Sequence, residues 1–238
     1  MKPTDPKFDH CLSALRQSPF FAGLSGDVQT DILRMFTYGS ALRRDTNVSL
    51  ADADQRFSVV VSGRAKASTY HPETGREHIL ELLGPSDGFD LISLLDGEPR
   101  DVVLTALDDM EILTASLSQV RQWLLQHPEI NRTFLPYLGE QMRHLAEQAE
   151  DLALYDTEAR LARLILRHIT SNAPVHGLRL INDLSQETLA SMIGSVRVVV
   201  GRQMSKWKQE GILSTGRGKW AIDDLNELIA KAQKKLDI

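Results

Sequence analysis

The feature that most constrains this chain is the segment Leu184–Trp207, which reads as two short helices joined by a turn on Gly194. Ser185 is placed to cap the first helix, and Leu189, Ala190 and Ile193 supply its apolar face. Ala190 is small enough to let a second helix come close. Gly194 suits a tight turn, where a left-handed backbone is cheap only for glycine. Ser195 is a candidate cap for the second helix, with Val196, Val200, Met204 and Trp207 as its buried positions. That phasing turns Arg197, Val198, Gly201, Arg202, Ser205 and Lys206 outward. An exposed face of arginines and a lysine at this spacing suits the DNA major groove, where Arg contacts guanine and Lys more often holds phosphate. The following Gly211–Ile222 predicts a β-hairpin with a basic, glycine-rich tip, which brings Arg217 and Lys219 toward the phosphate backbone. The whole is a winged helix-turn-helix pattern.

Upstream lie two zones of different periodicity. From Phe8 to Phe36 the apolar residues recur at helical spacing, with Ser25 as a candidate N-cap. From Tyr38 to Ser116 short apolar runs alternate with turns: Phe57–Val61, Ala67–Tyr70, His78–Leu83, Val102–Ala106 and Glu111–Thr114, with a helical turn expected at Phe89–Leu95. Short strands at this spacing predict a barrel or jelly roll. Ser118–Gln126 is a short amphipathic helix, and a long helix is expected over Pro128–Tyr155. Its apolar positions Leu135, Leu138, Met142, Leu145, Ala149 and Leu152 alternate in steps of three and four between strongly charged flanks, the a/d pattern of a dimer seam. Pro136 fits a first helical turn and would kink a helix already under way.

The net charge of −5 hides an asymmetry: Arg160–Trp220 holds ten Lys/Arg against three Asp/Glu, a balance of +7 that leaves −12 for the remainder. Such a split points to a nucleic-acid-facing part. The single cysteine, Cys11, excludes an intrachain disulfide framework and a cluster or zinc site built on several thiolates, and fits a reducing cytoplasm. No apolar run approaches the roughly 18 residues of a membrane span. The polar stretch Met1–His10 carries no signal-peptide core.

A β-roll, a long dimer helix and a winged helix-turn-helix in that order resemble the CRP/FNR family of bacterial transcription regulators. The resemblance covers nearly the whole chain. It is most specific over Leu184–Gly216, with Val59–Gly63 similar to the family's strand-and-glycine signature and Leu154-Tyr155-Asp156 similar to its hinge. It implies an α+β fold with three parts: a sensor roll over 1–127, a dimerisation helix and hinge over 128–156, and a DNA-binding domain over 157–238. It implies a homodimer on a pseudo-palindromic double-stranded site, in the cytoplasm, working with RNA polymerase and without catalysis.

The sensor departs from that pattern. Nucleotide-binding members carry Gly-Glu in a phosphate cassette, then Arg-Ser or Arg-Thr about ten residues on. Here Arg100 is present, but Asp101 follows it, an acid where a phosphate-binding hydroxyl is expected. The Gly-Glu pair becomes Phe89-Asp90 or Asp90-Leu91, and the hydroxyl pair that contacts the purine becomes Leu145-Ala146. The resemblance therefore argues against cyclic AMP as the effector, with Arg100 free to pair with Asp101 or Glu98 instead. An iron–sulfur cluster lacks its cysteines. Haem, as in gas-sensing relatives, would draw on His10, Cys11, His71, His78 or His144. An effector-independent regulator is an alternative. A jelly-roll metalloenzyme is another, and it would need two or three histidines and a carboxylate converging in the roll. The recognition helix departs too: many members place Glu directly after the first Arg, accepting from cytosine in a TGA-type half-site, where this chain has Val198. Valine accepts no hydrogen bond but packs on a thymine methyl.

Overall fold

The computed structural model describes residues 1–42, 47, 56–170, 181–216 and 219–235. Contacts divide the chain into two compact units, one formed by Met1–Thr69 with Glu81–Met142, the other by Tyr70–Leu80 with Arg143–Ile238.

The first unit opens with α1 (Phe8–Gln17) and α2 (Gly26–Met35). Ser25 occupies the N-cap position of α2, but its hydroxyl makes no capping bond. The strands that follow are β1 (Thr37–Leu42), β2 (Arg56–Ser62), β3 (Ala65–Tyr70), β4 (Glu77–Leu83), β5 (Gly88–Phe89), β6 (Val103–Ala106) and β7 (Met110–Ser116), with α3 (Leu91–Asp96) after β5. They form two sheets, ordered β1-β7-β2-β5 and β4-β3-β6. Antiparallel pairing sets Val59 opposite Leu113 and Ala67 opposite Leu104. Alternation along β2 sends Phe57, Val59 and Val61 into a core shared with α1, α2 and α4 (Leu117–Gln126), and Val60 into a second core with Ala65, Ala67, Leu83 and Leu104. A helix-covered outer face and a filled roll interior thus come from one strand. Phe20 joins the layers, its ring packed against those of Phe21, Phe57 and Phe134 at 4.3, 5.6 and 4.6 Å. Gly63 turns β2 into β3 at φ 81°, where a Cβ would fall 2.5 Å from the Asp109 carbonyl oxygen.

Glu111 on β7 ties α1 to the roll. Its carboxylate accepts from Lys7 Nζ at 2.8 Å, from Ser62 Oγ at 3.0 Å and from the Tyr38 hydroxyl, and meets His10 Nε2 at 2.9 Å. The bond from Lys7, then that from Tyr38, holds the Glu111 carboxyl down at about 2.

After α4 (Leu117–Gln126) and one 3-10 turn (Pro128–Ile130), α5 runs over Asn131–Leu154. Pro136 lies inside it, past the first turn, and removes one rung of its hydrogen-bond ladder. Of the heptad positions, Leu135, Met142, Leu145, Ala149 and Leu152 are exposed and Leu138 is half-buried.

The second unit holds the later part of α5, then α6 (Thr157–Thr170), α7 (Gln186–Met192), α8 (Arg197–Gln209), a hairpin of β8 (Leu213–Gly216) and β9 (Lys219–Ile222), and α9 (Leu225–Ala232). Asp156 caps α6 by accepting from the Ala159 amide at 2.8 Å. Asp151, buried at the end of α5, accepts from Arg163 and Arg167 on α6. Arg163 also lies over the Tyr155 ring, 4.1 Å from its centroid. Removing a carboxylate that serves two guanidiniums leaves both without their partner. Asp151→Ala is expected to lower stability by on the order of 2 kcal/mol, read as a fall in the urea midpoint at neutral pH.

Candidate nucleic-acid interface and ligand cassette

The helix-turn-helix forms as its residues direct. The Ser185 hydroxyl accepts from the Thr188 amide at 3.1 Å, capping α7. Gly194 takes φ 63° at the turn, and the Ser195 amide closes it on the Ala190 carbonyl at 2.9 Å. Two details differ from expectation. The N-cap position of α8 is Val196, not Ser195, and no side chain caps it. Val196 is 50% exposed rather than buried, because it precedes the first turn of α8 and falls outside its apolar stripe. The stripe itself is Val200, Met204 and Trp207, all buried.

With that face inward, Arg197, Val198, Arg202 and Ser205 are exposed, and Val198 presents 70% of its surface. Gly201 is half-buried, and a Cβ there would fall 2.7 Å from Gln186 Oε1, so its smallness accommodates the start of α7. Lys206 is exposed as well and donates to Glu158 Oε1 at 3.3 Å. The same oxygen accepts from Trp207 Nε1 at 3.1 Å, and these bonds hold the Glu158 carboxyl below the usual range against the opposing effect of burial. In the wing, Lys219 is exposed; Arg217 lies outside the described residues. Lys208 reaches across to Thr215 Oγ1 at 2.9 Å, bracing the hairpin against α8.

Sequence reasoning missed a further contact of the reader. The tip between β3 and β4 reaches its turn: Arg76 Nη2 donates to the Ser195 carbonyl at 2.8 Å, and His78 Nδ1 meets the Ser191 carbonyl at 2.9 Å. The signal was an arginine and a histidine beside the turn between two expected strands, which nothing in the sequence tied to Gly194.

In the roll, Asp90 adopts φ 72°, left-handed without being glycine. Asp90 Oδ1 is buried without a partner, as are Ser93 Oγ and Ser68 Oγ. Phe89 is half-buried and packs on the inner core. Arg100 and Asp101 are exposed, and Arg100 forms no ion pair with Asp101 or Glu98. Leu145 and Ala146 are exposed on α5. Glu81, two residues from each of the buried Ile79 and Leu83, shares their inward face on β4. Burial, then the charge of Asp87, raises the Glu81 carboxyl to about 7, with Arg100 opposing; burial raises Asp87 to about 6. The interior thus gathers acid where the resemblance leads one to expect a phosphate.

Four of the five candidate haem ligands are buried or hydrogen-bonded. Cys11 is fully buried in the apolar core, which raises its thiol to about 11. His10 bonds Glu111, His78 bonds Ser191, and His71 Nδ1 receives the Glu73 and Thr74 amides at 3.3 Å. His144 is half-buried on α5. Among the described residues no group of three His, Cys, Asp or Glu could hold a metal ion, which the metalloenzyme reading requires. Also among the described residues, no helix is long and apolar enough to cross a membrane.

Comparison with known proteins agrees with this architecture. Residues 44–127 match the cyclic nucleotide-binding domain model and 159–231 the Crp-like helix-turn-helix domain model. The global nitrogen regulator of Synechocystis is 30% identical over 176 residues, 72% of this chain and 77% of the relative. The CRP-like cAMP-activated global transcriptional regulator of Mycobacterium tuberculosis is 26% identical over 193 residues, 80% and 86% of the two chains. Among solved structures, FixK2 from Bradyrhizobium japonicum superposes with a TM-score of 0.70 at 18% identity, covering 84% of this chain and 98% of that one. The fold and the reader define a helix-turn-helix transcriptional regulator, and the chain belongs to the CRP/FNR family, whose members are regulators rather than enzymes.

The inward acid gives a testable pH dependence. Because the Glu81 carboxyl is raised on folding, the folded chain holds a proton that the unfolded chain releases above about 4.5. Its stabilising share is complete below that value and is lost as pH rises through about 7. Between pH 5 and 8 the wild type is expected to lose on the order of 2 kcal/mol more stability than Glu81→Gln, compared by urea midpoints at both pH values.

Proposed function

We propose that the chain acts as a homodimer that reads a pseudo-palindromic DNA site, with one α8 per half-site, and that its effector is not cyclic AMP. The observation that carries the DNA reading is the division of α8: Val200, Met204 and Trp207 are buried while Arg197, Val198, Arg202 and Ser205 face outward. A helix so held offers base-reading side chains on a rigid support. Arg197 and Arg202 read base edges, with Val198 between them as the apolar contact. Ser195, Gly201 and Lys206 lie closer to the scaffold, and Lys219, with Arg217 in the wing, meets phosphate. Two such helices sit about one helical turn apart, near 34 Å, on adjacent major grooves.

The dimer reading rests on the exposed apolar row Leu135, Met142, Leu145, Ala149 and Leu152, which water would otherwise face along one stripe of α5. The functional partition is then a sensor over 1–127, a dimer helix over 128–156 and the DNA reader over 157–238, working in the cytoplasm with RNA polymerase as partner. Against cyclic AMP stand the exposure of Arg100 beside Asp101, the inward Glu81, and the absence of hydroxyls at Leu145 and Ala146. The cAMP activation in the name of the mycobacterial relative is not carried over to this chain.

Selection from a random DNA pool tests the reading. The enriched half-site is expected to differ from TGTGA at the base pair that Val198 faces, and Val198→Glu to shift the preference there toward cytosine; recovery of an unmodified TGTGA half-site by the wild type overturns it. Arg197→Ala is expected to lose about 1–3 kcal/mol of specific binding and to relax one base pair, as measured by titration on sites varied at that position. Met142→Lys with Leu145→Glu is expected to convert the dimer to monomer in sedimentation, with DNA affinity falling in parallel.

A further inference from the structure

The second unit contains a cavity of about 190 Å³ beside α5, α6 and the turn of the helix-turn-helix. Leu145, Leu152 and Ile193 form apolar wall, and Arg160 and Arg167 bring guanidiniums to it. The two arginines differ in what they already hold. Arg167 donates to Asp151, whose other oxygen serves Arg163. Arg160 donates from Nη2 to Thr157 Oγ1 at 3.1 Å, while its Nε is buried and has no partner. A guanidinium keeps its charge at any pH a protein meets, so this orphan N–H is a charged donor without an acceptor. Such groups are rare because they lose their hydration for nothing.

The surroundings do not supply the missing acceptor. Both Asp151 oxygens are engaged, and Asp156 is occupied by the Ala159 amide and by Lys234 at 3.4 Å. Arg76, from the hairpin tip, lies close enough to add to the positive field, and burial further disfavours the Arg160 charge. The cavity therefore combines an apolar wall, the Arg160 and Arg167 guanidiniums with the Asp151 carboxylate that both Arg163 and Arg167 already hold, and one unsatisfied charged donor.

We propose that this cavity is a binding site for a small organic anion, its carboxylate or phosphate head on Arg160 and its short apolar body against Leu145, Leu152 and Ile193. The occupant rests on Leu145 and Leu152, two positions of the proposed seam, so it binds at the edge shared with the second copy, and at Ile193 it touches the residue next to the Gly194 turn. Its consequence for DNA rests on the proposed DNA-binding function; its binding does not. An anion here would steady the approach to Gly194, whose Cβ position lies only 3.1 Å from Leu152 and 3.7 Å from Arg160 Nη1.

Calorimetry on the full chain tests it, with pentanoate and n-butyl phosphate as the two anionic probes and pentylamine as the cation of matched length. At least one anion is expected to bind once per chain with Kd near or below roughly 1 mM, and pentylamine not to bind. Arg160→Met is expected to weaken that binding about 10- to 100-fold, the range of one charge-assisted hydrogen bond, with Arg160→Lys recovering part of it. Met192→Phe, which fills the cavity and leaves the charges in place, is expected to weaken it as well, and carries the test should Arg160→Met fail to fold. The proposal is overturned if neither anion binds, as when a carboxylate of the second copy already occupies Arg160. It is equally overturned if both variants bind as the wild type does. A chain that binds pentanoate but no DNA leaves the site standing and refutes the DNA reading; DNA binding without anion binding does the reverse.

Discussion

The recognition helix depends on the burial of Trp207. A fully buried indole removes more apolar surface from water than any other side chain of α8, and its one polar atom is satisfied by Glu158 on α6. Hydrophobic burial alone would let the helix rotate by some tens of degrees at small loss; the directed N–H to carboxylate bond does not. With Trp207 fixed in rotation, Met204 and Val200 follow it inward one and two turns earlier, and Arg197, Val198 and Arg202 must face out. The exposure of the reading face is thus a consequence of a core contact and would survive changes to the reading residues themselves.

Charge is distributed with the same economy. In the second unit Asp151 serves two arginines, Glu158 serves a tryptophan and a lysine, and Asp156 caps a helix while meeting Lys234. Each acid is doubly used, which is how a basic segment can pack without stacking unpaired cations. Arg160 is where that arrangement runs out, and its free Nε stands at a cavity. In the first unit the imbalance is reversed. Glu81 and Asp87 are carboxyls held partly protonated by burial, and Arg100 stays in solvent. The two buried-side carboxyls and the exposed guanidinium thus lie within electrostatic reach of one another, Arg100 opposing the rise of Glu81.

Much of this was legible in the sequence because local rules and tertiary outcome agree there. Ser185 caps, Gly194 turns, and the stripe ending at Trp207 is apolar at helical spacing, so the reader could be phased from residues alone, with an error only at its start. Val196 was assigned inward by extrapolating the 3.6-residue period back past the first turn, where the chain is still extended. The roll was legible as alternating runs, whereas α9 was not, its short Leu225–Ala232 stripe resembling any amphipathic tail. What sequence could not give is which polar residues from distant segments meet. The partners Glu158–Trp207 and Asp151–Arg167 lie 49 and 16 residues apart, and Arg76–Ser195 lie 119 apart. Such pairs are fixed by the docking of whole elements, and nothing in the spacing of either partner announces them.

The cassette shows why departure from a pattern is more informative than agreement with it. A glycine in that position adopts φ near 70° at little cost; Asp90 adopts it at a cost of order 1 kcal/mol or more and buries an oxygen without a donor. A chain that needed only to keep the roll folded would gain stability from glycine at this position. The strained acid persists beside Ser93, likewise buried and unsatisfied, so the loop carries two uncompensated polar groups in four residues. Strain of this kind is kept where the surrounding fold over-determines the backbone. Here the fixed points are the Ser86 and Asp87 bonds to Val60, which pin the entry to β5, and the Gly97 turn at φ 83°, which pins the exit of α3. Held at both ends, the segment cannot relax by moving. The strained residue and the two unpartnered polar atoms are thus held by the fold on either side of them.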